Sequence, residues 1–253
     1  MKKIGIEQLL TWAFTQELPK IGARSESVLT AAPSSWNVMS DMIALGTMVD
    51  KGPNRYGVVS GFVHEGDPHP DAIIVGDAVR GLAVHGGFEI GRGWNPYPEF
   101  NDEHGLIAAE VARVVSDQME RSDKLNGRYM VNLVTSAAIL KRGPCWQADE
   151  PRVVMVMNSG KPAWFIQRKM RDRLGKTVTY EDNGFDERKQ RPRLGAYRKY
   201  RIATPIRSAI VGRMDWQLWQ SSLRYLHHKL SSQLSAHDLQ SFTPDREPWR
   251  YHR

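Results

Sequence analysis

Between residues 204 and 234 the chain places Trp216, Trp219, Leu223, Leu226, Leu230 and Leu234 at three- and four-residue spacing. That is the mark of a helix with one apolar face. Thr204 suits the N-cap and Pro205 the first helical position, so the sequence predicts a helix of roughly 30 residues, about 45 Å long. Such a stripe cannot be left in water. It must back a sheet, join a helical core or form a seam with a second copy. Backing the sheet that precedes it is the expected role. Homodimerisation through this helix is the alternative, although about three heptads carrying tryptophan make a poor zipper.

The rest of the chain supplies fewer periodic signals. Ile6, Leu9, Leu10, Ala13, Phe14 and Leu18 lie on one helical face closed by Pro19 and Gly22, and a second helix is expected through Trp36–Val49 with Ser34 or Ser35 as its cap. Residues 56–63 read as a short strand, and Asp71 as the cap of a helix running to about Val84. Helices across Leu106–Met119 and Tyr129–Leu140 read as a core hairpin. After Gly143-Pro144 the pattern turns to strands: 152–157, then 162–169 and 176–181 joined by a turn containing Gly175, then 196–202. The fold class is α+β, mainly α: a helical N-terminal part, a small antiparallel hairpin sheet and a long C-terminal amphipathic helix.

Charge divides the chain more sharply than hydropathy does. The net charge is +7, but residues 1–120 hold 9 Lys and Arg against 16 Asp and Glu, whereas 121–253 hold 26 against 12. Two parts are expected, an acidic helical one over 1–148 and a basic one over 149–253. No run reaches the roughly 20 apolar residues of a membrane span. The single cysteine, Cys145, fits a reducing compartment, and a cytoplasmic location with no membrane contact is expected.

Catalytic signatures are weak. His64, Glu65, Asp67, His69 and Asp71 are metal-competent, yet all come from one loop broken by Pro68 and Pro70 rather than from converging elements. The glycines at 86, 87, 91 and 93 lack the Lys-Ser/Thr ending of a phosphate loop, and Ser159-Gly160-Lys161 reads as a turn. Asp149, Glu150 and Lys161 approximate a metal-dependent nuclease loosely, with the wrong spacing. No catalytic residue, metal ligand or cofactor is therefore assigned.

The basic stretch 186–201, "DERKQRPRLGAYRKYR", is different because many residues act together. Lys and Arg neutralise phosphates and release counterions, arginine forks onto guanine, and tyrosine stacks on a base or bonds a phosphate. The expected nucleic-acid contacts are Arg168, Lys169, Arg171, Arg173 and Lys176 on the hairpin, with Arg188, Lys189, Arg191, Arg193, Tyr197, Arg198, Lys199 and Arg201 beyond it. A competing account has Asp182, Asp186, Glu187 and the acidic first half neutralise this patch internally.

Through "GAYRKYR" (195–201), "WQLWQSSLRYL" (216–226) and "REPW" (246–249), residues 150–250 resemble uncharacterised proteins carried on bacterial prophages and other mobile elements. The resemblance implies no catalytic residues and favours a part in regulating, packaging or replicating mobile DNA. The expected function is non-catalytic DNA binding, with RNA as an alternative ligand. A protein–protein adaptor or inhibitor acting through the acidic part or the final helix ranks second, and a metal-dependent nuclease third.

Overall fold

A computed structural model describes residues 1–24, 56–58, 66–84, 90, 93–120, 127–171, 173 and 175–251. The helix expected at 36–49, most of the strand at 56–63, His64, Glu65 and most of the glycine cluster lie outside the described residues. The chain groups into two units: a helical one of residues 1–92, 118–146 and 212–253, and a basic one of 93–117 and 147–211. This interleaving differs from the single cut expected at 148/149. Among the described residues no helix is long and apolar enough to cross a membrane.

In the helical unit, β1 (Lys2–Ile4) leads into α1 (Ile6–Trp12), which continues through a π-helical turn at Ala13–Glu17 and a 3-10 segment at Leu18–Arg24. The expected face is the buried one, Ile6, Leu9, Leu10, Ala13, Phe14 and Leu18. It meets the buried sides of α2 (Pro70–Gly81), through Ala72, Val75 and Val79, and of α4 (Gly127–Leu140), through Met130, Val134 and Ala138. Between these last two in sequence runs α3 (Leu106–Glu120), whose first twelve residues belong to the basic unit. The helices expected as one core hairpin thus serve different units.

The long helix is α5 (Arg207–Leu230), 24 residues rather than about 30. Thr204 does not cap it, because Thr204 Oγ1 accepts the Arg152 N–H at 3.3 Å. The first helical bond instead runs from the Ile210 N–H to the Ile206 carbonyl, 3.0 Å. Its stripe of Met214, Leu218, Trp219, Leu223, Leu226 and Leu230 is buried within the helical unit, so the expected support of the sheet is confined to the first turn. The C-terminal tail docks as well. Trp216 Nε1 donates to the Asp245 carbonyl at 2.7 Å, and buried Trp249 lies under the Arg213 guanidinium, 5.0 Å from its ring centre.

Asp71 is the electrostatic anchor of this unit and corrects the capping assignment. The cap of α2 is His69, whose Nδ1 accepts the Asp71 N–H at 3.0 Å. The fully buried Asp71 carboxylate instead accepts from Ser235 N–H and Oγ–H, Ala236 N–H, His237 N–H and His237 Nδ1, at 2.7–3.2 Å. These donors immediately precede and begin β10 (His237–Leu239), which pairs in parallel with β1 in the register Lys2↔His237 and Ile4↔Leu239. Burial opposes ionisation of Asp71, but the bonds from Ser235, His237 and Ala236 outweigh it and hold its carboxyl well below the usual range. Its contribution is therefore full above the ordinary carboxylate pKa of about 4 and is lost as pH falls toward the native value. Asp71→Ala should lower the unfolding free energy at neutral pH by about 3 kcal/mol or more, since it strands several buried donors. Urea titration at pH 7 and pH 3 checks this, with the deficit shrinking at the lower pH.

Asp215 on α5 behaves oppositely. Burial pushes its carboxyl up to about 6, against the lowering effect of the hydrogen bond donated by Tyr129. The native state then binds a proton that the unfolded chain releases, so stability falls as pH rises from about 4 through 6. Asp215→Asn keeps an acceptor for Tyr129 and removes the charge. It should stabilise the protein by about 1–3 kcal/mol above pH 7 and be neutral below pH 4, read from thermal midpoints at the two pH values.

The basic unit has a small core of its own. Ile107, Val111 and Val114 of α3 pack with Tyr97, Ile206 and Ile210, flanked by Trp94, Phe100 and Ile202. The unit also holds short antiparallel ladders: β2 (Val153–Met155) with β9 (Tyr200–Ile202), β3 (Met157–Asn158) with β4 (Lys161–Pro162), β5 (Phe165–Arg171) with β6 (Thr177–Asn183), and β7 (Phe185–Asp186) with β8 (Arg191–Pro192). The β3–β4 turn uses Ser159 and Gly160, both at positive φ, a geometry that matches the right-handed twist of a hairpin.

Candidate nucleic-acid interface

Two hairpins spring from one junction. Gly184 joins β6 to β7: its N–H donates to the Trp164 carbonyl and its carbonyl accepts from Arg193, both at 2.8 Å. Phe165 and Tyr197 exchange a pair of backbone bonds beside it, 2.9 and 2.8 Å. A side chain at 184 would meet the Phe165 carbonyl at 2.8 Å and Ala196 Cβ at 2.9 Å, so the close approach requires glycine.

Alternation along β5 and β6 separates the first hairpin into two faces. On one, the register sets Gln167 opposite Glu181, Lys169 opposite Thr179 and Arg171 opposite Thr177; on the other, Ile166 faces Asp182, Arg168 faces Tyr180 and Met170 faces Val178. The carboxylates sit near the base and are already engaged. Arg168 Nε binds Asp182 at 3.1 Å, and Glu181 accepts from both Tyr197 and Lys199. Those bonds lower the Glu181 carboxyl and raise the Tyr197 hydroxyl. Lys169 and Arg171, toward the tip, are exposed and make no salt bridge with a described residue, and Arg173 is exposed in the turn itself.

The second hairpin is a built turn. Asp186 accepts the backbone N–H of Lys189 at 3.1 Å and of Arg188 at 3.0 Å, which keeps its carboxyl low. Gln190 closes the turn at φ 51 and donates to the Glu187 carbonyl at 2.6 Å. This leaves Arg188, Lys189, Arg191 and Arg193 exposed, again without salt bridges to described residues.

The thirteen expected contacts thus divide. Arg168, Tyr197 and Lys199 are held by carboxylates, and Arg198 lies 4.7 Å over the Trp164 ring with Nη1 3.6 Å from Met155 Sδ. Lys176 is exposed and engaged within the chain. Lys169, Arg171, Arg173, Arg188, Lys189, Arg191, Arg193 and Arg201 face solvent. Part of the internal neutralisation expected from Asp182 is real, and Glu181 adds to it. Sequence reasoning misses Glu181 as a partner because its bond to Lys199 depends on Tyr197 pairing with Phe165, which no local pattern announces.

Other chemistry fares less well. Asp149, Glu150 and Lys161 are all exposed and gather no further acid or imidazole among the described residues. Of the metal-competent loop, His69 and Asp71 meet His237, with one ligand atom of each within 4.8 Å of the others. Several of these atoms are engaged within the chain: Asp71 Oδ2 with His237 Nδ1, and His69 Nδ1 with the Asp71 N–H. That last bond leaves the His69 proton on Nε2, so neither ring nitrogen offers a lone pair to an ion. The cluster works as the anchor of β10. Comparison with protein-family models, curated proteins and solved structures finds no match to the chain.

Gly184→Ala should force the Phe165 backbone aside and unseat both hairpins. The expected cost is about 1–3 kcal/mol, measured by urea unfolding, with a changed Trp164 environment in near-ultraviolet circular dichroism.

Proposed function

We propose that the chain is a non-catalytic DNA-binding protein that grips duplex DNA with its two basic hairpins. The observation that carries this reading is the division of charge: between residues 152 and 207 there are 15 Lys and Arg against 5 Asp and Glu. Glu181 and Asp182 are paired with Lys199 and Arg168, Asp186 is held by the backbone of its turn, and Lys169, Arg171, Arg188, Lys189, Arg191 and Arg193 face water. A two-stranded ribbon fits the major groove of B-form DNA, whereas the deep, narrow major groove of an RNA duplex does not admit one. A regulatory or accessory part on mobile DNA agrees with the resemblance of residues 150–250.

A second reading has one observation in its favour. Met170, Val178 and Tyr180 form an exposed apolar strip on the face of the first hairpin opposite Lys169 and Arg171, which would suit a protein adaptor. The two readings part in salt. Binding of a fluorescent duplex should weaken steeply as salt rises, and the combined variant Arg171→Ala, Arg188→Ala, Lys189→Ala, Arg191→Ala should flatten the log–log slope by about 0.9 for each phosphate no longer neutralised. Lys199→Ala should leave the slope nearly unchanged because Glu181 already holds that amine. An unaltered slope in the fourfold variant contradicts the proposal.

A further inference from the structure

Residues 193–196 form a tight turn closed by the Ala196 N–H on the Arg193 carbonyl at 3.0 Å. Gly195 sits at φ +78 while Leu194 keeps a negative φ. This is the type II geometry, with Leu194 at the outer corner. The corner is fixed from both sides: Arg193 is tied to Gly184, and Tyr197 to Phe165. At its apex the Leu194 side chain is 100% exposed, the most exposed large apolar side chain among the described residues. Arg191 and Arg193 precede it and Arg198 follows.

We propose that Leu194 is a wedge that enters between base pairs and bends the duplex, an inference that rests on the DNA-binding reading above. The chemistry favours a stacked base step over a protein surface. The buried centre of a protein interface is depleted of charge, whereas this leucine sits in a stretch of chain that carries the exposed Arg191, Arg193 and Arg198. A groove floor offers an apolar gap once a base step opens, and the phosphates on either side are where Arg191 and Arg193 would need them. The turn supplies the remaining requirement, a side chain held out on rigid backbone so that little ordering is needed on contact. Steps that unstack easily, such as a TA step, are the expected sites, and stiff A-tracts the poorest.

The test uses the full chain and a duplex of about 30 base pairs with a central TA step, labelled at its two ends for energy transfer. Wild type should bring the ends together by a kink in the range of about 20–90°. Leu194→Ala, a change at a site that touches nothing, should bind within about tenfold of wild type in low salt yet lose the rise in transfer and the preference for TA over A-tract duplexes. Bending by Leu194→Ala equal to wild type overturns the wedge while leaving DNA binding intact. Failure of wild type to bind any duplex at low salt overturns both readings. Binding by wild type without a change in end-to-end transfer overturns the wedge alone.

Discussion

Like charges close together must find counter-charges or water, and the basic unit is organised by that constraint. Its five carboxylates between residues 152 and 207 are too few for fifteen cations. Geometry then decides which cations are neutralised. Register places Asp182 on the face of Arg168, and the pairing of Tyr197 with Phe165 brings Lys199 to Glu181. Asp186 accepts two backbone N–H groups of its own turn and keeps its negative charge beside Lys189 and Arg193. The hairpin ion pairs seen among the described residues, Arg168–Asp182 and Lys199–Glu181, therefore lie at the stem of the first hairpin, and Lys169, Arg171, Arg188, Lys189, Arg191 and Arg193 remain exposed. Elsewhere in the unit the same logic pairs Arg207 with Asp117 at 2.7 Å.

The helical unit solves a different problem with one carboxylate. Buried Asp71 would be costly alone, but five donors from Ser235, Ala236 and His237 make it a fixed point for the strand that follows α5. The apolar stripe of α5 is buried within the helical unit, where Asp215 and Ser222 reach Tyr129 and Met130 of α4. Asp215, by contrast, is a carboxylate that burial penalises and a single tyrosine only partly compensates.

Local periodicity made much of this legible. The helices at 106–120 and 127–140, the β5–β6 hairpin and the α5 stripe are all visible in residue spacing, because each is fixed by neighbours three, four or two positions away. Long-range decisions were not visible. Asp71 meets residues 164 to 166 positions further on, and nothing local distinguishes that role from an ordinary helix cap. Likewise Thr204 and Pro205 carry the letters of a helix start, yet the Thr204 hydroxyl is claimed by the Arg152 amide across a ladder. The basic site was legible as a charge excess. Its sorting into held and free cations depended on strand register, which alternation suggests but does not fix.

The central claim is that the cations no carboxylate holds, rather than Lys199 on Glu181, meet nucleic acid. Amine labelling read by mass spectrometry tests it directly, because Lys169 and Lys189 lie toward the ends while Lys199, with 41% of its side chain exposed, lies at the stem on Glu181. Saturating duplex DNA at low salt should protect Lys169 and Lys189 strongly and leave Lys199 close to its free reactivity. Equal protection of all three, or protection confined to the helical unit, would contradict the account.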